Sequence, residues 1–580
     1  MKLLILLLAA ITGPVFVFCQ KKPLDHSVYD SWQSIGDKFI SNDGKFAVYT
    51  IVPQEGDGML VVQATDNSYK KEIPRGYNAA VTDDSRFVIF RIRPFFKDTR
   101  EARIKKKTPD QSPKDSLGIL DLGRDSLIKI PRVKSYKIPE KAGGWLAYQL
   151  DKALPDMHTA QPDSLARLNN LLHMADSLSR VADSLRNKAG EARLKGLTVL
   201  QPPVRGTKAG AKPADDIIEE GSDLVVKNLL AGTETRYKMV SEYYFSKKGN
   251  TLVVETTRKN NDSTSRAALL WVNTAGGKWD TIMKSFNDAK NYALDEEGRQ
   301  LAFVAERDSV SKALQKFYKL WYYKPGMDSA QLRGDGHTAG VAKGLSISPD
   351  YNNMFSKDGK RLFVGLAPIR PVKDTGLVDF ETARLDVWHY NDDYLQPQQL
   401  LQTVIDLHKS YLAVLPEGGK ALIPLADESC ENIYLADEGN GRYALGTSSK
   451  GYRIRQQWEG SSLSKLYLVN LDDGSRRLVQ DKVRGLATIS PGGKFILWYD
   501  WKQRQWFTCS VATGMVANIT RDIKAPLYDE DDDHPDDPPP YGQMGWDEGD
   551  RHVYLYDRYD VWECNPDGKP ARNFTNGYGR

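Results

Sequence analysis

Short apolar runs separated by turn-forming residues recur along the whole chain, and most of them follow one phrase. The phrase is a small polar residue, one or two turn formers, glycine, a basic residue and then an alternating apolar run, most clearly in Ser356-Lys357-Asp358-Gly359-Lys360 before Leu362-Phe363-Val364. Asp, Asn and Gly supply backbone positions with positive φ, and β-branched and aromatic alternation is typical of a half-buried strand. Each copy therefore predicts a tight turn that leads into a strand.

The phrase occurs nine times, and a second phrase follows most of the copies. The fourth turn residue of each copy serves as its marker: Gly44, Ser85, Gly144, Gly249, Gly298, Gly359, Gly419, Gly493 and Asp550. The second phrase is an aromatic strand that runs into another glycine turn, as in Leu320-Trp321-Tyr322-Tyr323 before Gly326. Two hairpins per unit make a four-stranded antiparallel sheet, which is one propeller blade. The eight intervals predict an all-β fold, a β-propeller of eight four-stranded blades, with seven as the alternative if the terminal strands close the ring together.

The interval between Gly144 and Gly249 is about twice as long as the others, and it contains a segment that is not β-like. From about residue 155 to 194 β-branched and aromatic residues are scarce, and apolar residues recur at steps of three and four: Leu168, Leu171, Met174, Leu178, Val181 and Leu185. This spacing predicts an amphipathic helix with a narrow apolar seam. We therefore expect one helical and flexible insertion at about 155–215, which packs along the propeller rim or, alternatively, binds a partner.

The N-terminus has the pattern of an export signal. Lys2 precedes an apolar stretch from Leu3 to Ile11, which resumes at Val15 to Phe18 and is too short to span a bilayer. We predict a signal peptide at 1–19 and a propeller at 20–580; a lipoprotein acylated at Cys19 is the alternative. No later segment reaches about 18 apolar residues, so we expect a periplasmic or secreted protein without a transmembrane segment.

Composition and motifs narrow the function further. The 580 residues include 80 Lys and Arg against 76 Asp and Glu, a net charge of +4 that is spread along the chain, which argues against nucleic acid as a partner. The four cysteines show no zinc spacing, and there is no Walker loop or His-Glu-x-x-His motif. A serine hydrolase elbow, Gly-x-Ser-x-Gly, is missing too, since the nearest string, Gly344-Leu345-Ser346-Ile347-Ser348, lacks the second glycine. We assign no catalytic, cofactor-binding or metal-binding residue, and we take the eight scattered histidines as surface or packing residues.

The region near the C-terminus contains the only candidate binding surface. The acidic loop Asp529 to Asp537 offers carboxylates to a cation such as calcium, but it lacks the glycine and terminal glutamate of an EF-hand, which favours a solvated loop. A stiff Pro538-Pro539-Pro540 segment follows. The candidate domain-docking surface comprises Tyr541, Trp546, Arg558 and Tyr559. Ordinary blade packing is the alternative for these side chains.

Five stretches carry a resemblance to a known family. They are residues 22–32, Asp386 to Tyr390, Asp532 to Pro535, Asp557 to Trp562, and Asn573 to Arg580. Together they resemble the propeller region of exported peptidases of the prolyl oligopeptidase family from Bacteroidetes-like bacteria, over essentially the whole mature chain. The resemblance implies a propeller that caps a C-terminal α/β-hydrolase domain and limits access to peptides.

The family's catalytic Ser, Asp and His lie in the hydrolase domain, beyond the point at which this sequence stops. We therefore expect the chain as given to lack peptidase activity. Two functions remain open: the gating and docking part of a peptidase, which needs a hydrolase domain or chain as partner, or a stand-alone binding or scaffold propeller. The sequence leaves the oligomeric state open.

Overall fold

The structure is a computed structural model that describes residues 26–152 and 217–579, apart from nine isolated positions. These positions are 309, 311, 312, 373, 375, 379, 383, 384 and 486. The predicted signal peptide, Cys19 and the predicted insertion at about 155–215 lie outside the described residues. The described chain divides into two compact units: unit 1 comprises 26–135 and 150–152, and unit 2 comprises 136–149 and 217–579.

Unit 1 contains two four-stranded antiparallel sheets, each with its strands in sequence order. The strands are β1 (Gln33–Ile40), β2 (Phe46–Pro53), β3 (Met59–Ala64), β4 (Lys70–Pro74), β5 (Gly76–Val81), β6 (Phe87–Ile92), β7 (Ser116–Asp121) and β8 (Ser126–Ile130). Helix α1 (Phe96–Ile104) connects β6 to β7. The two sheets share one core, in which Val48 and Leu60 of the first pack with Val88 and Phe90 of the second.

Unit 2 begins with a seven-stranded sheet, and the chain passes from unit 1 to unit 2 within its edge strand β9. The strands are β9 (Val133–Lys137), β10 (Trp145–Leu150), β11 (Ser222–Asn228), β12 (Glu234–Phe245), β13 (Thr251–Thr256), β14 (Ala268–Asn273) and β15 (Trp279–Lys284). The long strand β12 pairs with β11 through residues 234–237 and with β13 through 242–245. Between these two stretches Met239 has a φ of 61°, and the register shifts on both sides of Val240, which pairs with both neighbouring strands. The sheet is therefore two four-stranded units that share β12.

Five more sheets follow in unit 2, four of them with four strands and one with five. Their strands are β16 (Asp288–Leu294), β17 (Leu301–Glu306), β18 (Lys319–Tyr323) and β19 (Gln331–Gly334); β20 (Leu345–Ile347), β21 (Met354–Phe355), β22 (Arg361–Pro368), β23 (Tyr411–Pro416) and β24 (Ile423–Pro424); β25 (Asn432–Leu435), β26 (Tyr443–Ser448), β27 (Leu463–Asn470) and β28 (Arg476–Arg484); β29 (Ala487–Ile489), β30 (Phe495–Asp500), β31 (Gln505–Ser510) and β32 (Val516–Asn518); β33 (Gln543–Trp546), β34 (Val553–Tyr556), β35 (Val561–Cys564) and β36 (Arg572–Asn573). Helix α2 (Gln396–Leu407) lies between β22 and β23, and the short α3 (Gln456–Glu459) lies between β26 and β27.

Sheets that follow each other within unit 2 pack face to face through apolar side chains. Phe303 of β17 shares a core with Trp271 of β14, and Val304 on the opposite face of β17 packs with Val364 of β22. The second strand β17 is consequently buried on both faces along all six of its residues. This corrects the expectation of a half-buried strand for β17, because a sheet enclosed between two neighbours has no solvent face, whereas β34 of the last sheet alternates between buried and half-buried residues as expected.

The sheets confirm an all-β fold of the β-propeller class, because four-stranded antiparallel sheets stacked face to face are the units of a propeller. The aromatic second phrase forms a strand, as predicted, and in these sheets it is the third strand, with Trp321 on β18 and Trp562 on β35. The predicted count of eight blades is not confirmed. The described residues form eight sheets, and one of these is the double sheet around β12.

The repeated turns form contacts with one another. Eight of the nine markers have positive φ, from Ser85 at 55° to Gly144 at 81°. Turns of successive sheets are joined by polar contacts: Asn42 with Asp83, Lys248 with Glu297, Asp358 with Asn440, and Gly492 with Asp550.

The prediction at Gly419 is wrong. Its turn lies between β23 and β24, and the positive φ belongs to Gly418. The true copy is the turn at Asp437–Gly439, which precedes the second strand β26 of its sheet.

Candidate functional site

The predicted docking residues lie in unit 2, around the last sheet. Arg558 forms an ion pair with Asp531 of the acidic loop, with 2.7 Å between Nη2 and Oδ2. Its guanidinium lies 5.5 Å from the ring of Tyr559, which is half exposed. The Tyr541 hydroxyl accepts a hydrogen bond from the backbone N–H of Glu530. The acidic loop thus connects Tyr541 with Arg558 and, through it, with Tyr559.

Trp546 differs from the other three residues because it contributes mainly to packing. It belongs to β33, and its indole stacks on the Phe495 ring with 5.9 Å between centroids and 10° between planes. It is half-buried against the core formed by the last two sheets. The exposed part of the predicted surface is therefore Arg558 and Tyr559, while Trp546 links neighbouring sheets.

Arginines from two other sheets hold the acidic loop in place. Arg484 donates to Asp536 over 2.8 Å, and Arg504 lies 3.8 Å from Asp537. The hydrogen bond from Arg484 lowers the pKa of Asp536 to about 2. The ligand atoms of Asp532, Asp533 and His534 lie within 4.8 Å of one another. Because His534 and Asp533 are exposed and His534 already bonds to Asp532, the loop has the character of a solvated, arginine-bound segment.

The histidines that the structure describes form no nucleophile–base pair. Five of the six described rings contact carboxylates, the backbone or other rings, and none of the six bonds to a serine hydroxyl or a cysteine thiol of the described residues. The nearest constellation is His408, whose Nδ1 lies 3.0 Å from Asp350. Ser410 and Ser348 are neighbours of that pair in sequence, but their hydroxyls bond to each other over 2.6 Å.

A larger exposed surface lies on the segment between β22 and β23, which the sequence analysis did not single out as a site. Helix α2 exposes one apolar side, which we call the apolar patch. Its residues and their exposed fractions are Leu400 (60%), Leu401 (85%), Val404 (69%) and Ile405 (71%). Exposed contiguous apolar surface marks interaction sites in soluble proteins. The spacing at steps of one, three and four is the helical signal that could have located it.

The same segment contains one of the stretches that carry the family resemblance. In Asp386 to Tyr390, Trp388 is 65% exposed and Tyr390 is 90% exposed. The carboxylate of Asp386 accepts a hydrogen bond from Gln396, the first residue of α2, over 2.9 Å. The resembling stretch and the apolar patch therefore belong to one local structure. Large aromatic side chains of this kind are enriched in protein interfaces.

A cluster of charged residues attaches this segment to the sheet β25–β28. Arg453 bonds to Glu431 and lies 3.4 Å from Asp393, which precedes α2. Lys409, which follows α2, also bonds to Glu431. The Arg453 guanidinium lies over the Tyr394 ring at 4.8 Å. We call Asp393, Lys409, Glu431 and Arg453 the ionic anchor, and it holds both ends of α2 while the apolar patch stays exposed.

The likeness of this chain to known proteins is limited to solved structures of low sequence identity. No family model matches the chain, and no curated protein matches it. Among solved structures, a eukaryotic initiation factor matches with 9% identity and a TM-score of 0.39, covering 82% of this chain and 85% of that one. The β-propeller domain of the Trilobed protease from Pyrococcus furiosus matches with 11% identity and a TM-score of 0.29, over 78% of this chain and 99% of that one.

Oligopeptidase B from Leishmania major matches with 9% identity and a TM-score of 0.32, over 84% of this chain. The chain spans 54% of the length of that enzyme. At these identities the likeness concerns the fold alone, and the propeller assignment above rests on the sheets of this chain. None of the helices that the structure describes is long and apolar enough to span a bilayer.

Proposed function

We propose that this chain is the propeller part of a prolyl oligopeptidase-like serine peptidase that acts on peptides. In this role it filters substrates and docks a hydrolase domain or chain, which supplies the catalytic Ser, Asp and His. The protein is exported to the periplasm or secreted by means of the N-terminal signal. The proposal is supported by the five resembling stretches and by the absence of a nucleophile–base pair among the described histidines.

The apolar patch on α2 is the observation that supports the docking role. Leu401 and Ile405 are more than two-thirds exposed although they belong to a helix whose ends are fixed by the ionic anchor. Ordering such a helix while leaving its apolar side in water forgoes roughly 1.5–3 kcal/mol per large side chain that burial would contribute. A hydrolase domain that covers the patch would recover this free energy.

Site-specific photo-cross-linking tests the proposal. A photoreactive phenylalanine analogue replaces Leu401 in one variant and, in the matched control, Met515, an apolar residue of the β31–β32 turn that is 72% exposed against 85% for Leu401. After irradiation in the native cell, we expect position 401, but not 515, to cross-link to a serine hydrolase that a fluorophosphonate probe labels. The purified 580-residue chain alone should remain unlabelled by that probe.

Reading the coding sequence beyond Arg580 shows whether the hydrolase is a continuation of the same polypeptide. In that case the cross-link is intramolecular and maps to a segment with a Gly-x-Ser-x-Gly elbow. Cross-linking of position 401 to a second copy of this chain alone, or to no serine hydrolase, would contradict the proposal and favour a stand-alone binding propeller. Fluorophosphonate labelling of the folded chain itself would also contradict it.

A further inference from the structure

Unit 1 contains a cavity of about 820 Å³ that has no role in the proposed function. Its walls come from β1, β2 and the β2–β3 loop, from the β4–β5 connection, and from helix α1 with the residues on either side of it, so every lining residue belongs to unit 1. The volume falls within the range of about 300–1,000 Å³ that is usual for pockets that bind small molecules. Apolar side chains such as Met59 and Phe96 line it together with charged residues of both signs.

Two arginines of the cavity are held in place by aromatic rings. The Arg75 guanidinium lies 3.7 Å from the centre of the Phe95 ring, and Nη1 donates to the backbone carbonyl of Arg93 over 2.8 Å. The Arg93 guanidinium lies 4.3 Å from the ring of Tyr77. A guanidinium stacked on a ring uses its face for that contact and keeps its in-plane N–H groups for a ligand.

The Tyr77 ring, over which Arg93 lies, is itself held by a hydrogen bond of its hydroxyl. The Tyr77 hydroxyl donates to Asp115, and Asp115 forms an ion pair with Arg91 over 2.6 Å. Burial, together with the hydrogen bond to Asp115, raises the pKa of Tyr77 to about 12, so the hydroxyl stays protonated. Arg91 neutralises Asp115, and neither Arg75 nor Arg93 forms an ion pair within 4 Å in the part of the chain that the structure describes.

Helix α1 adds two more arginines. Arg100 and Arg103 line the cavity and lie three residues apart on the helix, which places them on one side of it. The carboxylate of Asp57, in the β2–β3 loop, accepts from the first backbone N–H of the helix, that of Phe96, over 2.9 Å. Ala102 is buried and fixes the rotation of the helix.

Carboxylates line the cavity as well, so its net charge does not favour an anion alone. Asp37 and Glu55 are exposed and have no ion pair within 4 Å among the described residues. Since all the lining arginines are also free of such pairs, groups of opposite charge face one cavity without neutralising each other. A ligand that carries both charges would pair with both sets.

We propose that this cavity binds short peptides with free termini. The terminal carboxylate pairs with the arginine group around Arg75 and Arg93, with Arg100 and Arg103 beside it, and the terminal ammonium faces Asp37 and Glu55. Bidentate pairing with the planar carboxylate is the geometry that guanidinium groups favour. The site goes beyond the proposed function, because it needs no hydrolase partner.

Equilibrium dialysis of the full chain against tetrapeptide libraries, read by mass spectrometry, tests the site. One library has free termini, a second is amidated at the C-terminus and a third is acetylated at the N-terminus. We expect amidation, and the double substitution Arg93→Gln with Arg100→Gln, each to weaken retention about tenfold or more, as loss of charge-assisted hydrogen bonds does. Arg124→Gln is the matched control, since Arg124 is an exposed arginine of unit 1 outside the cavity.

A second arm tests the acidic side. Acetylation should weaken binding to the wild-type chain severalfold and weaken binding to Asp37→Asn by a smaller factor, because that variant has lost one of the two carboxylates that face the ammonium. Equal retention of free and amidated libraries, or retention by the double variant equal to that by Arg124→Gln, would overturn the proposal. Displacement by inorganic phosphate, without any effect of amidation, would identify a phosphate site and overturn the peptide assignment.

Discussion

Asp550 accepts a hydrogen bond from the hydroxyl of Ser490, with 2.6 Å between the two oxygens, and thereby joins the turns of the last two sheets. The same carboxylate accepts from the backbone N–H of Gly492 over 3.0 Å. Asp550 is only 2% exposed, and its φ of 57° lies in the left-handed region that glycine occupies in most other copies of the turn. The unfavourable backbone conformation is tolerated because the carboxylate satisfies three donors of the neighbouring turn, the third being the backbone N–H of Lys494 over 3.2 Å.

Asp550→Ala should therefore destabilise the protein by about 2–3 kcal/mol, because it leaves buried donors without an acceptor. The measurement is the free energy of unfolding from urea titration. Asp567→Ala is the control: Asp567 is an exposed turn residue of the same sheet region, and its loss should change stability by less than about 0.5 kcal/mol. Equal effects of the two substitutions would show that Asp550 does not stabilise the contact between the turns.

Two turn glycines allow the cost of backbone strain to be measured apart from the cost of close packing. Gly439 and Gly44 both have positive φ, at 86° and 72°. A Cβ at Gly439 would lie 2.7 Å from Cε2 of Phe363, whereas a Cβ at Gly44 would meet nothing within 4 Å. Gly44→Ala should cost about 1 kcal/mol from the backbone alone.

Gly439→Ala should cost about 2–4 kcal/mol, since the fully buried Phe363 ring must also move. Thermal and urea unfolding of the two variants measure the difference. A cost at Gly439 no greater than that at Gly44 would mean that the Phe363 side chain adapts freely.

The turn at Gly439 also shows how far the sequence predicts the fold. The repeated phrase predicted four-stranded sheets because turn chemistry and strand alternation are local properties that each copy repeats. Gly418 and Gly439 both follow acidic residues, and only strand pairing shows that the second precedes the central strand β26. The copy at Gly439 was missed because Asn440 and Gly441 separate it from the basic residue Arg442.

The candidate sites were less predictable because they depend on contacts between distant residues. Helix α1 is short and highly charged, and its role in a cavity follows from Arg75 and Arg93 on other elements. Helix α2 has an apolar spacing that fits a buried helix equally well; its exposure is a property of the fold. Tyr541 and Arg558 both contact the acidic loop, but their contacts with Glu530 and Asp531 could not be read from the sequence.

Because the thiol of Cys564 is buried, we expect the protein to lose stability at alkaline pH. Burial, assisted by the charge of Glu563, raises the pKa of this thiol to about 12. In the unfolded chain a cysteine loses its proton near pH 8.5, so above that pH the unfolded state binds fewer protons and the free energy of unfolding falls. The contribution is present below about pH 8.5 and declines by up to about 1.4 kcal/mol per pH unit above it.

The comparison of Cys564→Ala with the wild type isolates this effect. The gap in unfolding free energy between them should narrow from pH 8.5 to 10.5, because alanine does not titrate. Val553→Ala is the control, since Val553 is buried and pairs directly with Cys564 across β34 and β35. The difference in unfolding free energy between Val553→Ala and the wild type should stay constant over this pH range. If the difference narrowed equally for both variants, groups other than Cys564 would cause the pH dependence.

For the ionic anchor of α2 we expect the opposite pH dependence, a loss of stability at acidic pH. Burial of Glu431 opposes its ionisation, but the hydrogen bonds from Lys409 and Arg453 outweigh burial and lower its pKa. A carboxyl group with a lowered folded-state pKa contributes stability above its unfolded value of about 4.3, and that contribution is lost as the pH falls through the folded value. Protonation of Glu431 should therefore release the ends of α2.

Glu431→Gln should reproduce this release at neutral pH. Removal of Glu431 from this partly buried cluster leaves Lys409 without its carboxylate and Arg453 with Asp393 alone, and we expect a loss of about 2–3 kcal/mol at pH 7 that shrinks below about pH 4.5. Hydrogen exchange of the α2 amides should rise in the variant while that of β30 does not. The matched control is Glu428→Gln, which removes only an exposed pair with Lys450 and should cost less than about 1 kcal/mol. If exchange in α2 were the same in both variants, the helix would be held by its other contacts and not by Glu431.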